Sequence, residues 1–267
     1  MTIRSVRRRT VRLAGGGAAA LLALTACGSS GPSASSAASA GKPSGTVTVF
    51  AAASLKEGFT ALGRTFEAAH PGTRVVFDFG GSDTLAASIT SGAPADVFAA
   101  ASPRTMQTVT DAKDAAGTPV TFVRNRLEIA TPPGNPRGIR GLADLAAPGL
   151  KVALCAAEVP CGAAARKALD AAGVRLTPVS YEQDVRSALT KVELKEVDAS
   201  VVYRTDVRAA SGRVDGVEFP ESSRAVNDYP VVLLKNAPNA GAAREFVALV
   251  TSPEGAKVLT GAGFLAP

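Results

Sequence analysis

The chain has 267 residues, of which 46% are hydrophobic and 19% charged, with one histidine, three cysteines and no tryptophan. The formal net charge of +6 is misleading: five arginines lie within residues 1–12 with no acid beside them, and without them 24 basic residues face 23 acidic ones. That balance, with no basic run and no aromatics interleaved with one, excludes a nucleic-acid surface, and a single histidine excludes a histidine-built metal centre.

Arg4, Arg7, Arg8, Arg9 and Arg12 precede an apolar run, Leu13–Ala26, too short to span a membrane as a stable helix. The run ends in Leu24-Thr25-Ala26-Cys27. Charge, apolar run, small residues and cysteine in this order resemble a bacterial lipoprotein signal. The resemblance implies that residues 1–26 are removed and that Cys27 carries the lipid. An ordinary secretory signal with a chance cysteine is the alternative, and Arg8-Arg9 is a weak mark of the twin-arginine route. Residues 28–45 hold serine, alanine and glycine but no large apolar side chain, so 27–45 read as a lipidated cysteine and flexible tether. The chain would then sit at the outer face of the cell membrane, held by lipid rather than by a basic surface. Cys155 and Cys161 remain, in a protein exported to where disulfides persist. They are predicted to be bonded, with two buried free thiols as the alternative.

The folded part starts at Thr46. Val47 and Val49 alternate with Thr46 and Thr48 as in a strand, three alanines follow, and after Ser54 the residues Leu55, Phe59, Leu62 and Phe66 recur at helical spacing. Ser54 falls where an N-cap belongs. Residues 73–79 read as a strand and 80–89 as a turn into a helix. Residues 95–102 read as a strand ending in small residues, and 121–134 as an extended segment. A strand at 149–155 leads to a helix at 160–173 that Gly173 stops. A helix at 182–198 shows Val185, Leu189 and Val192 on one face, 199–203 is a buried strand, 228–235 a second extended segment, and 243–264 helical. Alternation of strands and helices argues for parallel-type α/β lobes. Crossings near 125–130 and 228–232 would divide the chain into lobe one (46–126 with 231–267) and lobe two (127–230), closing around a ligand.

Catalytic machinery is hard to find. His70 lies before Pro71 at a helix end, where a cap or surface role suffices. There is no Gly-x-Ser-x-Gly elbow, no phosphate-cradling Gly-Lys-Ser loop and no Cys-x-x-Cys pair, and Tyr181, Tyr203 and Tyr229 are too scattered to mark a ferric site. What recurs is a helix start after a strand and a small turn, at 51–55, 80–85, 159–164 and 182–188. None of the four contains lysine, and Arg186 is their only arginine. Helix N-termini offer neutral donors, and such a set suits a compact, fully deprotonated oxyanion.

The segments TVTVFAAASL, GGSDTLA, SGAPADVFAAAS, EVPCGAAA, EQDVRSAL, VVYRTD and YPVVLL resemble, in order and spacing, the molybdate-binding proteins of bacterial ABC uptake systems. The match covers 46–267. It implies an α/β, two-lobed periplasmic-binding-protein fold of type II, with two crossover segments and molybdate or tungstate in the interlobe cleft. It also implies a monomer that works with a membrane permease and its ATPase, is not an enzyme, and needs no cofactor and no metal beyond that of the ion. Carried over by position, Ser54 and Ser82 supply hydroxyls from lobe one. Cys161 and Val185 supply main-chain amides from lobe two, and Tyr203 supplies a phenol hydroxyl. Asp83 and Cys161 depart from the family pattern; an inward-turned Asp83 would add an acceptor and admit phosphate. A receptor for another tetrahedral oxyanion such as sulfate, or an enzyme on the same fold using Cys161, are the competing readings. No proposed donor titrates near neutrality, so binding is expected to change little from about pH 6 to 8.

Overall fold

The structure, a computed structural model, describes residues 43–267. The expected signal segment, Cys27 and most of the tether lie outside the described residues.

The alternation read from the sequence forms two five-stranded sheets. The first holds β1 (Gly45–Ala52), β2 (Thr73–Gly80), β3 (Val97–Ala99), β4 (Val120–Asn125) and β10 (Asn227–Leu233), in the order β2-β1-β3-β10-β4. The second holds β5 (Leu127–Thr131), β6 (Val152–Cys155), β7 (Ser180–Glu182), β8 (Ala199–Tyr203) and β9 (Asp215–Val217), in the order β7-β6-β8-β5-β9. Helices α1 (Lys56–Ala69), α2 (Ser82–Thr90), α3 (Pro103–Asp111), α7 (Ala240–Val250) and α8 (Pro253–Gly261) accompany the first sheet. Helices α4 (Pro160–Ala172), α5 (Val185–Glu193) and α6 (Arg204–Ala209) accompany the second.

Both sheets are mixed rather than purely parallel. β1 pairs parallel with β2 and β3, but β10 runs antiparallel to β3 and β4. β6 pairs parallel with β7 and β8, but β5 runs antiparallel to β8 and β9. In each sheet the reversed strand is the one on which the chain arrives from the other sheet, and a direct arrival needs no helical crossover to set a parallel direction. The first passage turns on Arg126 alone, between β4 and β5; the second uses the segment between β9 and β10. β10 joins the first sheet from its first residue, Asn227, ahead of the expected boundary at 230/231. Pro230 sits inside β10, where it has no N–H to give, and the register with β4 shifts there.

Each sheet has its own core. Val47, Val49 and Phe246 are buried with the first, together with Leu55, Phe59, Leu62 and Phe66, the apolar stripe that the helical spacing predicts. Ile129, Leu145, Leu154, Val185, Leu189, Val192 and Val201 are buried with the second. The expected helix at 182–198 is shorter. Glu182 belongs instead to β7, which pairs with β6, Asp184 caps the helix start, and the helix ends at Glu193.

Candidate functional site

The lobes meet over the ends of their strands. Arg186 of α5 pairs with Glu57 of α1 at 3.1 Å, and the Arg104 guanidinium donates to the Glu158 carbonyl. Gly81 lies so close to lobe two that a Cβ there would stand 2.4 Å from the Gln183 carbonyl oxygen. Between these contacts is a cavity of about 10 Å³, lined among others by Ser54, Ser82, Cys161, Val185 and Tyr203. All five expected donors therefore border one space, and all five are buried. Ala52, Ala53, Gly80, Gly81 and Ala101 make the rest of the lobe-one wall, and small residues there bring the backbone within reach. The space is far below the usual range for drug-sized ligands, about 300–1,000 Å³, and leaves room only for a very small ligand.

Each donor has a local origin. β1 runs into a 3-10 turn, Ala53–Leu55, before α1 begins, so Ser54 does not serve as the N-cap its position suggested. It is already inside the turn, where an N-cap would be extended, and its Oγ lies 2.9 Å from the Tyr229 hydroxyl instead. Ser82 is the first residue of α2, after an extended Gly81, and its Oγ accepts from the Ala101 amide at 3.0 Å.

In lobe two, Pro160 opens α4 and no side chain caps it, which leaves the Cys161 amide without a partner in the chain. Cys155 and Cys161 are disulfide-bonded, tying the second residue of α4 to the end of β6. Gly162 follows because a Cβ there would stand 1.9 Å from the Ala156 carbonyl oxygen. At α5, the Asp184 carboxylate takes the Arg186 and Ser187 amides at 2.8 and 3.0 Å and the Ser187 hydroxyl at 2.7 Å. The Val185 amide is left over. Tyr203 ends β8, and burial holds its phenol well above the ordinary tyrosine range, so it stays a donor.

The charge balance is that of a neutral cradle. No lysine, arginine or histidine lines the cavity, and Asp184, the one carboxylate there, has both oxygens engaged as a helix cap. Asp83 sits in the first turn of α2, where the helix N-terminus favours a carboxylate, and does not line the cavity. Among the described residues no group of three or more His, Cys, Asp or Glu could hold a metal ion.

Sequence reasoning missed the layer behind the donors. Asn125, Asn227 and Tyr229 contact Thr205, Tyr203 and Ser54 respectively. It also missed Asp206, fully buried on α6, whose Oδ2 accepts from the Tyr203 amide at 3.1 Å. Burial pushes the Asp206 carboxyl up to about 7, against the opposing pull of Arg186. Asp206 is not one of the expected donors, but its carboxylate adjoins one of them, Tyr203. Only the Asp206 spacing, three residues after Tyr203 at a helix start, left a trace in the sequence.

Two α/β lobes, crossed twice by one chain and closed over a cleft of neutral donors, define a solute-binding protein. Residues 47–265 match the model of the bacterial extracellular solute-binding proteins, and the chain belongs to that family. It is 43% identical over 246 residues to the molybdate-binding protein ModA of Mycobacterium tuberculosis, covering 91% of this chain and 93% of that one. It is 32% identical over 231 residues to the protein of the same name from Escherichia coli, covering 82% and 89%. The periplasmic molybdate-binding protein of Azotobacter vinelandii shares the fold, with a TM-score of 0.73 at 19% identity over 83% of this chain and 99% of that one. These relatives are binding proteins, not enzymes.

Proposed function

We propose that this protein captures molybdate, and tungstate with it, outside the cell and delivers it to the permease and ATPase of an ABC transporter. The convergence of Ser54, Ser82, Cys161, Val185 and Tyr203 on one small cavity carries this reading. Two hydroxyls come from one lobe, and two amides and a hydroxyl from the other, so a bound ion would hold the lobes together. Burying a dianion is costly, and charge-assisted hydrogen bonds of about 1.5–3 kcal/mol each offset that cost. The match to molybdate-binding relatives along nearly the whole chain supports the choice of ion.

The protein acts as a monomer tethered by a lipid on Cys27, after removal of residues 1–26; the Leu24–Cys27 pattern supports this. Lobe one comprises 46–126 with 231–267, and lobe two 127–230. Sulfate, which also needs only donors, is excluded by its smaller size. An enzymatic role for Cys161 has no support, since its sulfur is bonded to Cys155. Calorimetric titration with molybdate, tungstate, sulfate and phosphate tests the proposal. Tight binding of molybdate and tungstate is expected, and tight binding of sulfate with none of molybdate overturns it.

A further inference from the structure

The hydroxyl donors of the cleft are themselves hydrogen-bonded from behind, and for Tyr203 and Ser82 the direction of those bonds is fixed by chemistry. The Asn227 Nδ2 lies 2.7 Å from the Ala101 carbonyl oxygen and 2.9 Å from the Tyr203 hydroxyl oxygen. A carbonyl only accepts, so the amide nitrogen faces it, and that nitrogen's second hydrogen goes to Tyr203. The Tyr203 oxygen accepts from behind, and its own proton is left for another acceptor. Ser82 is in the same position, since its oxygen accepts from the Ala101 amide. Asn227 thus touches both faces of the site: the lobe-two tyrosine directly and, through the Ala101 carbonyl, the lobe-one residue whose amide donates to Ser82.

The other acceptor near the Tyr203 proton is Tyr229, whose ring stands edge-to-face at 6.0 Å. Its hydroxyl is already engaged, with Ser54 at 2.9 Å and with Asn125 Nδ2 at 3.4 Å. The Arg126 amide donates to Asn125 Oδ1 at 3.0 Å, which fixes the Asn125 amide as a donor toward Tyr229. A dianion in the cleft outcompetes a neutral phenol for the Tyr203 proton, because charge-assisted hydrogen bonds are about twice as strong.

We propose that Asn227 is a positioning residue that sets anion specificity: by donating to Tyr203 while holding Ala101, it directs the Tyr203 proton into the cleft and keeps the site donor-only. Fully deprotonated tetrahedral dianions then satisfy every donor. An oxyanion that keeps a proton finds no acceptor for it and is rejected. This deepens the molybdate reading and rests on it for the identity of the ion.

The test is calorimetry of molybdate, sulfate and phosphate at pH 6, where phosphate retains protons. The proteins are the wild type, Asn227→Ala, Asn227→Asp, Tyr203→Phe and the double variant Asn227→Ala/Tyr203→Phe, each with its ligand-free Tm. Asn227→Ala should lower the molybdate-to-phosphate affinity ratio about tenfold. The near-isosteric Asn227→Asp, whose carboxylate accepts and draws the Tyr203 proton away from the cleft, should lower it further. In the Tyr203→Phe background, Asn227→Ala should move the ratio by less than about twofold, as coupled neighbours require. An unchanged ratio in both single variants, or an equal change with and without the Tyr203 hydroxyl, overturns the proposal and leaves Asn227 structural. A wild type that prefers sulfate to molybdate overturns the choice of ion alone, and the sulfate-to-phosphate ratio then decides the role of Asn227. A wild type that prefers phosphate, or binds none of the three, overturns both.

Discussion

Replacing Gly81 by alanine separates lobe closure from folding. Gly81 has φ −60° and ψ 130°, which alanine adopts without strain. The obstacle is between lobes: its Cβ would stand 2.4 Å from the Gln183 carbonyl oxygen, where ordinary contacts begin at 3.4 Å. The lobes must then stand apart by about 1 Å at this point, because a main-chain oxygen cannot rotate away as a side chain can. The Asp83 Oδ1, at 2.9 Å from the same Cβ, belongs to a side chain that can turn. Overpacking of this kind costs about 1–3 kcal/mol, which at 1.4 kcal/mol per tenfold weakens molybdate about 5- to 150-fold. With the lobes apart the new methyl meets nothing from lobe two, and Gly→Ala at a compatible backbone adds about 0.4–1 kcal/mol by restricting the unfolded chain. Calorimetric Kd should therefore rise while the ligand-free Tm stays level or increases. An unchanged Kd, or a ligand-free Tm lowered in step with binding, refutes the reasoning.

Burial of Asp206 predicts a pH-dependent stability. Its carboxyl is raised from 3.8 to about 7 by burial, with Glu57 and Asp184 adding to the rise and Arg186 and the Tyr203 amide opposing it. The folded state thus holds this proton more tightly than the unfolded one, so the contribution is complete below about pH 4 and is lost as pH rises through 7. Relative to Asp206→Asn, the wild type should lose ligand-free stability across that window, and dianion binding at pH 7 should take up protons. Thermal melts that run parallel across it, and calorimetry showing no proton uptake in buffers of different ionisation enthalpy, would refute this. Replacing Cys155 and Cys161 together by serine opens a short loop whose closure is worth about 2 kcal/mol, so Tm should fall by about 4–8 °C for a domain of this size; an unchanged Tm under reducing and oxidising conditions would count against it.

The helix starts that border the cavity were legible because such starts have local grammar, whereas the five expected donors were assigned by the family resemblance. A strand, small residues and a new apolar period lie within ten residues of one another at Ser54, Ser82 and Cys161. Longer-range features were not. The antiparallel sense of β5 and β10 depends on where the chain arrives from, which no periodicity carries. β7 and β9 are three residues each and exist only by pairing with β6 and β5. The short α3 and α6 went unnoticed, although Ser102 and Pro103 mark the start of α3 as plainly as any cap in the chain. Ser54 and Tyr229 are 175 residues apart in sequence, and Asn125 and Thr205 are 80 apart. A hydroxyl's partner at that distance leaves no mark on its own neighbourhood.

The second passage between the lobes is also the back wall of the site. Asn227 and Tyr229 are two residues apart on β10, so they share a face of the strand. One backs the lobe-two hydroxyl and the other the lobe-one hydroxyl. Asn125, the register partner of Asn227 on β4, braces Tyr229 from the first passage. The passages between the lobes and the backing of the proposed donors therefore share the same few residues, yet the contact between the lobes and the direction of the backing bonds are separable in measurement. Holding the lobes apart at Gly81 removes contacts that every tetrahedral anion shares, and should weaken molybdate, sulfate and phosphate by similar factors. Turning the Tyr203 proton at Asn227 changes what the cleft accepts, and should change the ratio among those anions instead. If Gly81→Ala shifted the ratio as strongly as Asn227→Ala, specificity would reside in closure, and the direction of the backing hydrogen bonds would have no separate role.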